Sequence, residues 1–302
     1  MQTHQLFLEL KNTLSQYTEE FEIESKLFIC HFLKWEPNTF VNHLSDDIPK
    51  EISKEIKSSV KKRMEENIPL AYLFKKWPFR KNTYSTSPGV LIPRSDTEYL
   101  VEKAIKLIQE NNISTIYEIG YGSGIISIEL AKEYPDCSIV GWDISKDAYN
   151  LANKNLHTLI PAPSTSISKM QPYSRQNNIP IFYQNDFFEI YDSYAFDFSN
   201  TLFISNPPYI KTDVIKTLEP QVSLWEPKEA LDGGESGIDF YEKFLAWYST
   251  KLANRPPSKG FVLFEIGYDQ QREMEKLSEK YKLKLTVNND LQNLPRVCLF
   301  TN

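Results

Sequence analysis

The chain is poor in the residues that announce a particular chemistry. Among its 302 residues are three cysteines, four histidines and ten glycines. Cys30, Cys137 and Cys298 are odd in number and far apart, which argues against a disulfide framework and matches no metal-ligand spacing. They read as small core residues in a reducing compartment, and no metal site is expected. His4, His31, His43 and His157 show no catalytic spacing. No apolar run approaches the roughly 20 residues that span a bilayer. The start, MQTHQLFLELKNTLSQYTEEF, lacks the basic and apolar stretches of a signal peptide. A cytoplasmic protein without a membrane partner is therefore expected. Positive charge is also scarce: 34 Lys and Arg against 40 Asp and Glu leave a net charge of -6. That gives no broad footprint for phosphate backbones, and direct sequence-specific nucleic-acid binding is not expected. No internal repeat is present.

From Gln5 to about Phe74, apolar residues recur at three- and four-residue steps: Leu6, Leu8, Leu10, Leu14, then Leu27, Phe28, His31, Phe32, then Ile52, Ile56, Val60, Met64. This predicts a small helical domain over residues 1–76. KEIKSSVKKR within it reads as a solvated helix face. Residues 77–94 read as a polar linker that contains strand. Ser95 and Glu98 have the spacing of a capping box and place a helix start near Ser95. Over 95–302 strands alternate with helices, which predicts an α/β domain with a mainly parallel sheet covered on both faces. The last two strands, KLTVNN and RVCLF, suit an antiparallel hairpin at one edge. Between Thr158 and Asn178 a stretch rich in Pro, Ser, Gln and Asn suits a surface loop.

EIGYGSG spends three of the ten glycines within five residues, between a strand and a helix. Such a loop lets backbone N–H groups approach a ligand at a helix N-terminus, although a plain turn also accounts for the glycines alone. The spacing Gly120, Gly122, Gly124 differs from the dinucleotide fingerprint and lacks the Lys and Ser/Thr of a P-loop. The next strand ends in Asp143, near the distance at which an acid meets ribose hydroxyls. A third ends in Asp186 and Phe187, a carboxylate for an adenine amine and a ring for its face. Glu118 enters the loop as a further carboxylate. A nucleoside with positive charge, S-adenosylmethionine, meets that description.

ISNPPYI follows the fourth strand. Proline has no N–H for a ladder and pushes the residue before it into an extended conformation, so the strand must stop here. The Asn206 side-chain oxygen and the Pro207 carbonyl can accept both hydrogens of a planar NH2 group, and Tyr209 can lie against it. Holding those hydrogens localises the nitrogen lone pair toward a methyl carbon; positioning of this kind lowers a barrier by about 7–11 kcal/mol. By itself NPPY is also a proline-rich turn. ALDGGESG lacks calcium-loop spacing and reads as a turn into the next helix.

With PLAYL, VLIPRSDTEYLVE, EIGYGSGIISIEL, DIS, NDFF, SNPPYI, EPKEALDGGESGIDFY, FEIGYDQ and DLQNLPRV in this order, the chain from Pro69 onward resembles the PrmC/HemK family of peptide chain release factor glutamine-N5 methyltransferases. The resemblance implies a Rossmann-like class I methyltransferase domain with a mainly parallel, seven-stranded sheet, behind a helical domain that helps recognise a release factor. It implies methylation of the glutamine in a Gly-Gly-Gln loop, with S-adenosyl-L-homocysteine as product. Glu118, Gly120, Tyr121, Gly122, Ser123, Gly124, Asp143, Asp186, Phe187 and Asn206 are then expected cofactor contacts, and Asn206, Pro207, Pro208 and Tyr209 the glutamine clamp. Tyr121 stands where a small residue is usual, Lys75 replaces a glycine, and Ser95-Asp96 replaces Pro-Glu. The stretch Thr158–Asn178 and the extra residues in FDFSNTLFIS are further departures. An N6-adenine methyltransferase uses the same clamp, a ribosomal-protein glutamine is a neighbouring substrate, and a non-enzymatic cofactor-binding adaptor is a third alternative.

Overall fold

The computed structural model describes residues 1–161, 179–196, 198–253 and 260–302. Four helices come first: α1 (Thr3–Leu14), α2 (Phe21–Leu33), α3 (Lys50–Glu66) and α4 (Leu70–Phe74). The strands β1 (Lys76–Phe79) and β2 (Asn82–Ser85) lead to α5 (Ser95–Asn111). Then follow β3 (Thr115–Ile119), α6 (Ile125–Glu133), β4 (Ser138–Asp143), α7 (Lys146–Leu159), β5 (Ile181–Gln184), α8 (Phe187–Ile190) and β6 (Thr201–Ser205). The last elements are α9 (Pro220–Ser223), α10 (Asp239–Ala253), β7 (Gly260–Glu265), α11 (Gln271–Tyr281), β8 (Lys284–Asn289) and β9 (Pro295–Thr301). No described helix is long and apolar enough to cross a membrane.

Met1–Lys75 together with Glu219–Trp225 form one compact unit. Its core takes Leu6, Leu10 and Leu14 from α1, Phe28 and Ile29 from α2, and Ile56 and Val60 from α3, as the helical spacing requires. Leu8 lies off that stripe and is exposed. The lysines of KEIKSSVKKR face outward or sit at the margin, but its arginine does not. Arg63 is buried and donates to Glu24 at 2.9 Å, to the Tyr17 hydroxyl at 2.9 Å and to Gln221 at 2.7 Å. That full set matters, since removing one partner of a buried ion pair costs about 3–5 kcal/mol. The Trp225 indole donates to the Glu66 carbonyl at 2.9 Å. Two side chains thus fasten residues 219–225 to α3, an attachment that no periodicity foretells.

Lys76–Leu218 and Glu226–Asn302 form the second unit. Its seven-stranded sheet has the order β5-β4-β3-β6-β7-β9-β8. The first five of these run parallel, and β8 and β9 close one edge as the expected antiparallel hairpin. Every residue of β6 and β7 is buried, because helices cover both faces of these central strands. Leu202 and Ile204 face a mostly aliphatic cluster with α5, α6 and α7; Phe203 faces an aromatic one with α10 and α11. From β3 the chain moves outward to β4 and β5, then returns to β6 on the opposite side of β3. This reversal opens a crevice at the carboxyl ends of β3 and β6.

Three sequence readings change. Residues 77–94 hold the β1–β2 hairpin and belong to the second unit. The capping box does not form: Arg94 occupies the N-cap position, Ser95 is already helical, and Glu98 accepts from the Arg80 backbone N–H at 2.8 Å. The hairpin turn thus takes the carboxylate that the helix start would have used. Thr158 and Leu159 end α7, while residues 162–178 of the surface stretch lie outside the described residues.

Candidate active site

A cavity of about 660 Å³ opens at the switch point. All of the residues expected from the sequence line it except Gly124 and Tyr209. Gly124 caps the start of α6. Tyr209 packs beside the aromatic cluster under the cavity floor, and burial pushes its hydroxyl well above the ordinary tyrosine range, with the Glu265 charge adding to the effect.

The glycine loop turns directly from β3 into α6. Gly120, Gly122 and Gly124 all have positive φ, and beside Gly120, at +69°, a side chain would meet open space. Asp143, at the end of β4, holds this loop: Oδ2 accepts from the Gly122 N–H at 2.9 Å, and Oδ1 accepts from the Ser145 N–H at 2.9 Å. Each oxygen keeps a further lone pair for a ligand hydroxyl. Burial raises the Asp143 carboxyl despite those two bonds.

Tyr121, the departure within the loop, does not obstruct the cavity. Its ring is 2% exposed and packs on Phe182 at 4.6 Å, and its hydroxyl donates to the Tyr183 carbonyl at 3.3 Å. Gly141 of β4 makes room for it: a Cβ there would meet Tyr121 Cδ1 at 2.9 Å. The bulk added in the loop is absorbed by a missing side chain in the neighbouring strand.

Glu118 is fully buried on β3. One oxygen, Oε2, accepts from the Ser127 N–H at 3.0 Å and from the Ser127 hydroxyl, both on α6. The other, Oε1, has no partner among the described residues. Burial pushes this carboxyl up to about 8, against the Ser127 bonds and with help from Asp143. An unpartnered buried acceptor costs about 1–3 kcal/mol. The residue that carries it lines the cavity.

Asp186 caps α8 by accepting from the Phe188 N–H at 2.7 Å and also lines the cavity. Phe187 is 2% exposed, with its ring among Trp142, Phe244 and Trp247. Its ring is therefore committed to the core. Ile144, which also lines the cavity, is 56% exposed.

Asn206 follows β6 on the crevice's other wall. Its Nδ2 donates to Thr97 Oγ1 of α5 at 2.9 Å, and Thr97 Oγ1 in turn donates to Glu265 Oε2 of β7 at 2.8 Å. Among the described residues nothing donates to Asn206 Oδ1 or to the Pro207 carbonyl. Glu265 is fully buried with Oε1 unpartnered, and burial pushes its carboxyl up to about 7, opposed by the Thr97 bond and by Arg296.

The corner is braced by segments whose roles the sequence left open. ALDGGESG pairs with it through Ile210 N–H to Leu231 O at 3.0 Å and Gly233 N–H to Ile210 O at 2.8 Å. Gln270 Nε2 donates to the carbonyls of Tyr209 at 3.0 Å and Gly237 at 2.8 Å. Arg94 of LIPR pairs with Glu226 of EPKEA, which also accepts from the Ile92 N–H at 3.3 Å. These pairs join residues that only the fold brings together. No histidine lines the cavity; His31 stacks on Phe74 at 4.2 Å and His43 on Trp35 at 4.1 Å, in the helical unit.

Residues 5–74 match the PrmC N-terminal domain family. The chain is 33% identical over 84% of its length to the release factor glutamine methyltransferase of Fusobacterium nucleatum, spanning 66% of that protein. It is 32% identical over 84% of its length to that of Thermodesulfovibrio yellowstonii, spanning 83% of it. With the Aquifex aeolicus protein of the same name the identity is 29% over 97% of this chain and 95% of the relative. Among solved structures, the hMettl16 catalytic domain in complex with a MAT2A 3'UTR hairpin shares the fold, with TM-score 0.51, 10% identity, and coverage of 85% of this chain and 83% of that one.

Proposed function

This chain belongs to the release factor glutamine methyltransferase family, and we propose that it methylates the side-chain amide nitrogen of the glutamine in the Gly-Gly-Gln motif of a peptide chain release factor. When bound, S-adenosylmethionine supplies a methyl carbon made electrophilic by its sulfonium and leaves as S-adenosylhomocysteine. In this reading Glu118 would take the cofactor's ammonium, Asp143 its ribose hydroxyls and Asp186 its adenine amine, and Gly120 and Gly122 would allow its close approach to the loop backbone.

The single observation that carries this reading is the Asn206–Pro207 corner, which lines the cavity and, among the described residues, leaves two acceptors free. Asn206 Oδ1 and the Pro207 carbonyl accept the two amide hydrogens, and the nitrogen lone pair, freed from conjugation, forms the new N–C bond. Once methylated, the amide nitrogen would release its extra proton to water at the cavity. No strong base is needed, since dipoles facing the developing N–H charge supply the stabilisation. The helical unit is assigned to release-factor recognition, and the protein to the cytoplasm, where that partner works.

Purified protein, methyl-labelled S-adenosylmethionine and a release factor test this directly, with the label located by mass spectrometry. Label on the Gly-Gly-Gln glutamine, absent from its Gln→Ala variant, is the expected result. With nucleic acid and ribosomal protein offered in parallel reactions, label on adenine or on a ribosomal-protein glutamine, with none on the release factor, overturns it.

A further inference from the structure

An asparagine clamp works only one way round. Its oxygen must face the substrate NH2; its own NH2 in that place would meet two donors with two more. The two ends of an amide have nearly the same shape, so packing cannot choose between them. Hydrogen bonding can.

Thr97 sits on α5, Glu265 on β7 and Asn206 beyond β6, and these three side chains form one chain of hydrogen bonds that runs from the cavity lining, at Asn206 and Thr97, to Glu265 behind it. A threonine hydroxyl has a single proton. Thr97 gives that proton to Glu265 Oε2, so toward Asn206 it presents lone pairs only. It can then accept from Nδ2 but cannot donate to Oδ1. Thr97 is 2% exposed and Glu265 fully buried, so water does not compete for either bond.

We propose that Thr97 and Glu265 are positioning residues that set the polarity of the clamp, turning Asn206 so that Oδ1 faces the substrate amide. This rests on the glutamine-methylating reading above. Glu265 touches neither cofactor nor substrate and does not line the cavity; it acts through Thr97. The arrangement also accounts for a fully buried carboxylate behind a site whose chemistry needs no base.

Initial rates of methyl transfer to a purified release factor, with S-adenosylmethionine affinity and melting temperature measured alongside, test the proposal. Thr97→Val keeps the shape and deletes both hydrogen bonds, so turnover at saturating release factor falls about 10- to 100-fold, while cofactor affinity stays within about twofold. Thr97→Ser keeps the hydroxyl and recovers most of the rate. Glu265→Gln lowers turnover when Thr97 is present and adds nothing further in the Thr97→Val background, since coupling through one relay is not additive. If Glu265→Gln fails to fold, the Val and Ser variants decide the matter alone. Unchanged turnover in Thr97→Val, no recovery in Thr97→Ser, or an equal Glu265→Gln loss in both backgrounds overturns the relay and leaves the functional reading standing. A wild-type protein that leaves the release factor unlabelled overturns both.

Discussion

Glu118 and Glu265 stand on β3 and β7, the strands on either side of β6, and both are fully buried. Each gives one oxygen to a hydroxyl on a covering helix, Ser127 on α6 or Thr97 on α5, and each leaves the other oxygen unpartnered. Only Glu118 lines the cavity. Ser127 holds one oxygen of Glu118, and on the proposed reading the carboxyl group itself meets the cofactor. Beyond Thr97 comes Asn206, and the presented group is the amide. On the function proposed above, the same local device serves the cofactor from β3 and the substrate clamp from β7.

The largest way to break that symmetry is to remove the clamp. Asn206→Ala should cut methyl transfer to the release factor about 100- to 1,000-fold, with cofactor affinity changed by only a few fold; steady-state rates and calorimetric titration check both halves. A comparable loss of cofactor affinity would make the two walls one site.

Glu118→Gln addresses the opposite wall. Replacing the carboxyl by an amide, which cannot ionise against an ammonium, should weaken S-adenosylmethionine binding about 10- to 100-fold while leaving turnover at saturating cofactor within a few fold of wild type. The same variant reports a pH effect. With its carboxyl pushed from about 4.5 to about 8 in the fold, Glu118 holds a proton between those values that the unfolded chain releases. Wild-type stability without cofactor should therefore fall, relative to Glu118→Gln, as pH rises from about 5 to about 8, by a few kcal/mol at ~1.4 kcal/mol per unit. Denaturant titrations of the two proteins across that window would show parallel curves if the shift is absent.

The smallest expected effect concerns the loop between the walls. Gly141→Ala places a Cβ against Tyr121 and should cost about 1–3 kcal/mol of stability, and less in a Tyr121→Ala background. Equal costs in both backgrounds would separate the unusual tyrosine from the missing side chain beside it.

Much of this was readable along the chain. Alternating elements identify a mainly parallel sheet because strands buried on both faces must be continuously apolar. EIGYGSG, Asp143 and SNPPYI mark the crevice because strand ends in such a sheet meet there. The individual orientations were not readable. Phe187, expected over a base, lines the cavity while its ring also packs into the aromatic core, which no local pattern foretells. Ser95 and Glu98 have capping-box spacing, yet the hairpin claims the carboxylate. Thr97 carried no signal beside the motif residues near it, and Glu265 none beyond its place in a recognisable string.

What the sequence determined by itself is the order of the elements and the residue types at the strand ends, because periodicity, glycine and proline act over a few neighbouring residues. What only the tertiary structure decided is which polar atoms are spent and which are left over. Asn206 meets Thr97 across 109 positions, and Thr97 meets Glu265 across 168. Hydrogen-bond valence is settled between atoms that touch, and no local pattern records which distant atoms those will be.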